Sequence, residues 1–337
     1  RSVDFAAQQM IDLACDARVP IAWDRLDAQR PQCGFGELGI CCRNCTMGPC
    51  RIDPFGGGAD KGVCGADVDT IVARNLLRSL LGGGAAHSDH GREIVHALAF
   101  AAEGKSDAYT IKSREKLHQL AAEYGIVGDH RSDEEVATDL AELLLGEFGK
   151  QKGALANVRR APEQQQKNWR AADVTPRGVD REMVTGMHMT HIGVDNEPEH
   201  ILMGAVRAAL ADGWGGSMIA TDVSDILFGR PHPLRSRANL GVLKADEVNV
   251  IVHGHEPTLS DVIVAAAQDP EILAEAKANG ANGINLSGIC CTANEILMRQ
   301  GIPAAGNFLQ QELAILTGAV EAMVVDVQCI MQALVDL

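Results

Sequence analysis

Apolar residues recur at helical spacing over most of the first 235 positions, then in short, near-continuous runs after Pro233. Phe5, Met10, Ile11 and Cys15 mark one face between Val3 and Ala17 and predict a helix there. Cys15 lies on that stripe and is expected to be a small buried hydrophobe. Ala66 to Leu81 predicts a second helix, with Asp67 and Asp69 suited to the positive end of its dipole. Gly82 to Gly84 are expected to break the chain before a further helix in AAHSDHGREIVHALAFAAEG. Amphipathic helices are expected over 113–124, 132–150, 196–211 and 224–228, and the polar stretch 153–176 as a surface excursion.

The later runs read differently. VNVIVHGHE (248–256), GINLSGICC (283–291), IPAAG and AMVVDVQC (322–329) predict strands, and the segments between them predict helices. That alternation implies βαβ units and a parallel sheet. The fold class is therefore α+β and multidomain. A mostly helical domain over 1–235 carries a cysteine-rich loop, and an α/β parallel-sheet domain follows over 236–337.

Charge narrows the partners. Thirty Lys and Arg against 45 Asp and Glu give a formal charge of −15, which argues against nucleic acid and anionic membrane. No apolar run reaches the length of a membrane span, and no signal peptide is visible. A reducing, cytoplasmic setting is expected. The chain begins at Arg1 without a Met and stops at Leu337 just after an apolar segment, so trimmed ends are also expected.

The chemistry concentrates first in CGFGELGICCRNCTMGPCRIDPFGGGADKGVC, which holds six of the ten cysteines. Cys42, Cys45, Cys50 and Cys64 are spaced C-x2-C-x4-C-x13-C, with Cys33 and Cys41 upstream. A tight loop offering three thiolates and a more distant fourth suits an iron–sulfur cluster. Structural zinc prefers paired C-x2-C knuckles, and only one C-x2-C is present. A disulfide framework suits a small secreted chain. Next downstream come His87, His90 and His96: the first two are neighbours on a helix, and the third lies further round and along.

The predicted strands add a second site. In parallel sheets, ligands bind beyond the carboxyl ends of the strands. Three predicted strand ends carry a metal-binding side chain: His253 or His255, Cys290 or Cys291, and Cys329. Their convergence predicts a metal site in which spacing alone leaves each doublet open.

Together, CGFGELGICCRNCTMGPCRIDPFG, AAHSDHGR, DGWGGS, SDILFG, VHGHEP and GICCTANE resemble the anaerobic nickel–iron carbon monoxide dehydrogenases. The resemblance runs from the cysteine loop to Cys329. It implies a homodimer of a helical domain followed by two Rossmann-like domains, the second of them beyond residue 337. It implies that Cys42, Cys45, Cys50 and Cys64 hold a [4Fe–4S] B cluster. Cys33 and Cys41 would meet their twins across the dimer axis at a D cluster, either [4Fe–4S] or [2Fe–2S]. His255, Cys291 and Cys329 would be ligands of the Ni–Fe–S active cluster, the C cluster, with Cys290 a non-ligand. His87 would handle protons beside that cluster, and His90 and His96 would lead them outward, with Glu93 where the family often has a further histidine. The family's remaining active-cluster cysteines and its catalytic lysine lie further along, so these residues are expected to be the N-terminal part of a longer chain.

The reaction implied is CO + H2O ⇌ CO2 + 2H⁺ + 2e⁻, with a ferredoxin-like electron acceptor and acetyl-CoA synthase as a further candidate partner. Competing readings are a hybrid-cluster protein reducing hydroxylamine or NO, which needs no nickel, and a non-catalytic iron–sulfur electron-transfer subunit. A zinc-stabilised scaffold, which would be colourless, is a third.

Overall fold

The structure is a computed structural model and describes residues 1–337. It divides into two compact units: Arg1–Arg30 with Phe228–Leu337, and Pro31–Leu227.

The first unit opens with helices α1 (Phe5–Ala17) and α2 (Ala22–Ala28). The Asp4 carboxylate caps α1 by accepting from the Ala7 amide at 2.8 Å. The second unit begins with α3 (Gly34–Glu37) and a two-stranded antiparallel hairpin, β1 (Cys41–Cys42) and β2 (Cys50–Arg51). Its helices follow: α4 (Val68–Ala102), α5 (Arg114–Glu123), α6 (Asp133–Phe148), α7 (Glu163–Ala171), α8 (Val179–Met189), α9 (Pro198–Ala211) and α10 (Ser217–Phe228). The chain then returns to the first unit with β3 (Val248–Gly254), α11 (Pro257–Ala267), α12 (Pro270–Ala278), β4 (Ile284–Ile289), α13 (Cys290–Gln300), β5 (Ala304–Gly306), α14 (Gln311–Leu316) and β6 (Ala322–Val325).

These four strands form one parallel sheet in the order β5-β4-β3-β6. Successive side chains of a strand point to opposite faces, and both faces are buried here. Ile251, Ile289 and Ala305 pack with Ala7, Ala14, Ile21, Leu313 and Ala314 on one side. Val252 and Leu286 pack with Val264 and Ile296 on the other. The first thirty residues therefore belong with the sheet, and a single cut at residue 235 does not describe the units. The buried side of α1 is Ala7 and Ala14, whose small side chains allow close approach. Cys15, one step round from Ala14, is exposed rather than buried.

Within the second unit, α4 runs unbroken for 35 residues, so Gly82 to Gly84 do not interrupt it. Tertiary packing outweighs the weak helix propensity of glycine. A Cβ at Gly84 would lie 2.8 Å from the Met183 side chain, and one at Gly91 would lie 3.0 Å from the Gly216 carbonyl oxygen. The stretch 153–176 is also more ordered than its polarity suggests. A 3-10 turn at Ala156–Arg160 and α7 occupy it, anchored by buried Leu155, Val158, Ala161 and Val174. Helix α8 has no counterpart among the predicted elements. Gly186 interrupts its apolar stripe because it packs against Leu81, 2.7 Å from where a Cβ would stand. No helix is long and apolar enough to cross a membrane.

Candidate metal centres

The cysteine loop folds back on itself at the β1–β2 hairpin. Its register sets Cys42 opposite Cys50 and Cys41 opposite Arg51. Gly48 sits at the focus: a Cβ there would lie 3.1 Å from the Cys42 carbonyl oxygen, 3.2 Å from the Cys50 amide and 3.5 Å from the Cys45 carbonyl oxygen. The Cys64 turn closes over the same place. The Val63 amide donates to Cys50 Sγ at 3.4 Å, and a Cβ on Gly62 would lie 3.6 Å from that sulfur. Backbone donors aimed at sulfur are a feature of iron–sulfur loops, since they stabilise thiolate charge. Asn75 of α4 fixes the hairpin, donating to the carbonyls of Gly39 at 2.8 Å and Cys41 at 3.0 Å. Asp53 orders the glycine run, accepting from the amides of Phe55 at 2.8 Å and Gly57 at 3.0 Å. The backbone at Cys42, Cys45 and Cys50 is thus drawn together around Gly48, and the turn leading into Cys64 packs against Cys50 Sγ.

Cys33 is exposed at the start of α3. Cys41 lines an open groove of about 740 Å³ with Leu38, Arg43, Val72, Leu76 and Arg78. Leu38, Val72 and Leu76 are exposed along it.

All three histidines of the predicted row lie on α4 at steps of three or six residues. His87 and His90 are half-buried, while Glu93 and His96 are exposed, so the row turns outward along the helix. His87 Nδ1 is 2.8 Å from Asp212 Oδ1, and that oxygen also accepts from Ser217 Oγ at 3.0 Å. The hydrogen bond to Asp212 raises the His87 pKa above 6.5, with burial opposing it. Asp212 opens a π-helical turn, Asp212–Gly216, that interrupts the path from α9 to α10. The turn presses on α4: a Cβ at Gly216 would lie 3.2 Å from the His87 carbonyl oxygen. Asp212 lies within DGWGGS, but its partner is 125 residues upstream, so its role was not readable from spacing.

In the α/β unit the three strand ends meet. Gly254 bridges to Cys290, and the Asp326 amide donates to the His253 carbonyl at 3.1 Å. The histidine doublet separates by environment. His253 is fully buried, with Nε2 3.0 Å from Gln311 Oε1, which makes it a core residue. His255 is half-buried at the strand end, its amide donating to Asp326 Oδ1 at 2.7 Å. Gln311 also grips the third strand end, donating to the Cys329 carbonyl at 3.1 Å and accepting from the Met331 amide at 2.9 Å.

The thiols are clustered too. Burial, then the neighbouring Cys329 and Cys291, push the Cys290 thiol up to about 12. Burial, then Cys329, Glu295 and Asp326, raise Cys291. Burial thus favours the protonated form of Cys290 and Cys291, and a soft cation bound by such a thiol would displace its proton. Cys290, Gln328 and Cys329 adopt left-handed backbone with φ of 64°, 67° and 58°. Such strain in residues other than glycine persists where the surroundings impose it, and it gathers at functional sites. No three His, Cys, Asp or Glu side chains close on one point as ligands of a single ion would. A cluster whose separate irons each take one thiolate does not require that.

Comparison with known proteins adds to this geometry. Residues 40–337 match the model of the Prismane/CO dehydrogenase family. The chain is 60% identical over 337 residues to carbon monoxide dehydrogenase 1 of Methanosarcina mazei, covering 100% of this chain and 54% of that one. It superposes with a TM-score of 0.95 and 54% identity on the Ni-free crystal structure of carbon monoxide dehydrogenase from Thermococcus sp. AM4, produced without its CooC maturase. That match covers 97% of this chain and 52% of the other. An acetyl-CoA synthase/carbon monoxide dehydrogenase, described with NiZn[Fe4S4] and NiNi[Fe4S4] clusters in its alpha subunits, matches with a TM-score of 0.94 and 47% identity, over 99% of this chain and 50% of that one. The chain thus spans about half the length of the relatives it matches.

Proposed function

The chain belongs to the Prismane/CO dehydrogenase family, and we propose from that premise that it serves the reversible oxidation of carbon monoxide with water to carbon dioxide, protons and two electrons. The observation that carries the reading is the convergence of three strand ends, bearing His255, Cys291 and Cys329, on the Asp326 carboxylate and the clustered thiols beside it. The sheet order β5-β4-β3-β6, renumbered within the sheet as 3-2-1-4, supports a Rossmann-like reading of this unit, with the site beyond its strand ends.

In this proposal His255, Cys291 and Cys329 are protein ligands of a nickel–iron–sulfur cluster. Bound there, the cluster supplies a soft centre for CO and a Lewis-acidic iron that lets water ionise near neutral pH. The rest falls to the chain's own side chains. Asp212 accepts from His87 Nδ1–H, which leaves Nε2 as the basic nitrogen of the neutral ring and stabilises the cation once it has taken a proton. His90, half-buried, and Glu93 and His96, both exposed, follow it along α4 and pass that proton toward solvent. Cys42, Cys45, Cys50 and Cys64 hold a [4Fe–4S] B cluster as an electron exit. Cys33 and Cys41 of two copies share a D cluster, [4Fe–4S] or [2Fe–2S], and the exposed Leu38, Val72 and Leu76 in the mixed groove beside Cys41 suit a homodimer contact there. A ferredoxin-like protein in the cytoplasm is the proposed electron acceptor. Acetyl-CoA synthase is a further proposed partner, supported by relatives described as subunits of such an assembly.

Relatives named as carbon monoxide dehydrogenases at 60% identity support this reading over a hybrid-cluster reductase or a plain electron carrier. The test is a nickel and iron count on the full-length protein with a CO-dependent dye-reduction assay. Nickel together with CO-dependent reduction is expected; iron without nickel and no response to CO would overturn the proposal.

A further inference from the structure

One carboxylate touches all three candidate ligand loops. Asp326 follows β6 directly. Its Oδ1 accepts from the His255 amide at 2.7 Å and from the Val327 amide. Its Oδ2 accepts from the Glu256 amide at 3.0 Å and from Thr292 Oγ1 at 3.2 Å. Four donors match the roughly four lone-pair positions of a carboxylate. Thr292 is fully buried and adjoins Cys291, while Val327 lies two residues before Cys329. Gly254 makes room for the arrangement: its φ is +143°, and a Cβ there would stand 1.6 Å from Asp326 Oδ1.

We propose that Asp326 is a positioning residue whose carboxylate clasps the loops bearing His255, Cys291 and Cys329 and shapes their cradle before any metal arrives. As a role in cluster assembly this rests on the metal reading above; as a clasp of three loops it rests on geometry alone. Helix α11 already has a cap of its own, since the Glu256 side chain accepts from the Thr258 amide at 3.4 Å. The bonds from Asp326 therefore add cross-chain ties and do not duplicate a local cap. A charged acceptor is required, because an asparagine in its place presents one oxygen and one donating NH2. That group cannot accept from both pairs of donors.

The test uses the full-length protein, prepared anaerobically with and without nickel, as wild type, Asp326→Asn, Asp326→Ala and Thr292→Val. In nickel-free protein, Asp326→Asn is expected to speed amide exchange at His255 or Glu256 about tenfold, the equivalent of one net hydrogen bond. Exchange at Val250 and Leu286 in the sheet should stay at its wild-type rate. Asp326→Ala should speed both 255 and 256, and Thr292→Val should loosen only 290–293. When loaded, Asp326→Asn should lower nickel relative to iron while keeping the absorption of the Cys42–Cys64 cluster. Wild-type exchange at 255–256 with a wild-type nickel-to-iron ratio would overturn the proposal, and so would exchange quickened evenly across the sheet, the mark of a merely structural residue. If the Asp326 variants do not fold, Thr292→Val decides, and unchanged exchange at 290–293 refutes the clasp. A wild-type protein that binds no nickel, with iron unaltered by Cys291→Ala, sinks the metal reading. The exchange measurements still decide the clasp.

Discussion

Two carboxylates, Asp212 and Asp326, act on candidate site residues without belonging to any periodic pattern. Asp212→Asn removes the acceptor that raises His87, so the His87 pKa is expected to fall back toward 6.5. If His87 takes a proton during turnover, the acid limb of the pH–rate profile shifts to lower pH in that variant, with metal content unchanged. A stability effect follows with a fixed sign. A histidine whose folded pKa is raised adds stability that is complete below its ordinary value and is lost as pH rises through the raised one. Asp212→Asn should therefore destabilise the protein more at about pH 5.5 than at about pH 8.5, as read by denaturant titration at both. The cysteine spacing and the meeting of the strand ends were legible, because residue type and interval carry them, whereas the choice within each doublet was not. Nor were Asp212 and Asp326, since His87 lies 125 residues from the first and the His255 and Glu256 amides about 70 from the second, and neither aspartate stands out by type or interval until the fold closes.

Among the elements, α4 shows where local signals mislead. Three successive glycines read as a break, yet the helix continues because its neighbours pack against it. The glycines divide by environment. At Gly83 nothing lies within 4 Å of an added Cβ, so Gly83→Ala should stabilise by roughly 0.5–1 kcal/mol through reduced backbone entropy. At Gly91 a Cβ meets the Gly216 carbonyl oxygen at 3.0 Å and the Phe148 ring at 3.1 Å, so Gly91→Ala should destabilise. Opposite shifts in the denaturation midpoint check the pair. The strands were more legible than the helices, because their apolar runs are short, rich in Val and Ile and bounded by turn residues. Even so, their amino ends hide a buried polar clamp. Asn249, at 1% exposure, donates to the carbonyls of Lys244 and Ala319, both at 2.7 Å, and accepts from Asn285 at 2.8 Å. Asn249→Ala leaves several buried groups unpartnered and should cost roughly 2–4 kcal/mol in unfolding experiments.

On the scale of the molecule, the α/β unit is built from two stretches that are far apart in sequence. Its core takes Ala7, Ala14 and Ile21 from the first thirty residues. Glu312, almost wholly buried, accepts from the Ala22 amide at 2.7 Å and pairs with Arg25. Deleting residues 1–30 uncovers Ile251, Ile289 and Leu313 and leaves the Glu312 carboxylate without these partners, which is the costlier loss because a buried charge remains. Such a deletion is expected to make 228–337 sensitive to limited proteolysis while fragments from 31–227 stay protected. Equal protection of both would contradict it. This assembly was the least legible level, since the periodicity of α1 announces a buried face but not which core receives it.

The discontinuity also sets an order of events on the ribosome. Residues 1–30 emerge before 31–227, yet β3 and the elements after it follow only once the whole of 31–227 has been made. At bacterial-like synthesis rates that interval is roughly ten to forty seconds. During it, the helical segment with its six-cysteine loop can fold while α1 still waits, its apolar side uncovered. Maturation of the two candidate metal centres is thereby staggered in time, and a nascent-chain chaperone or a crowded polysome has its chance to intervene in the gap.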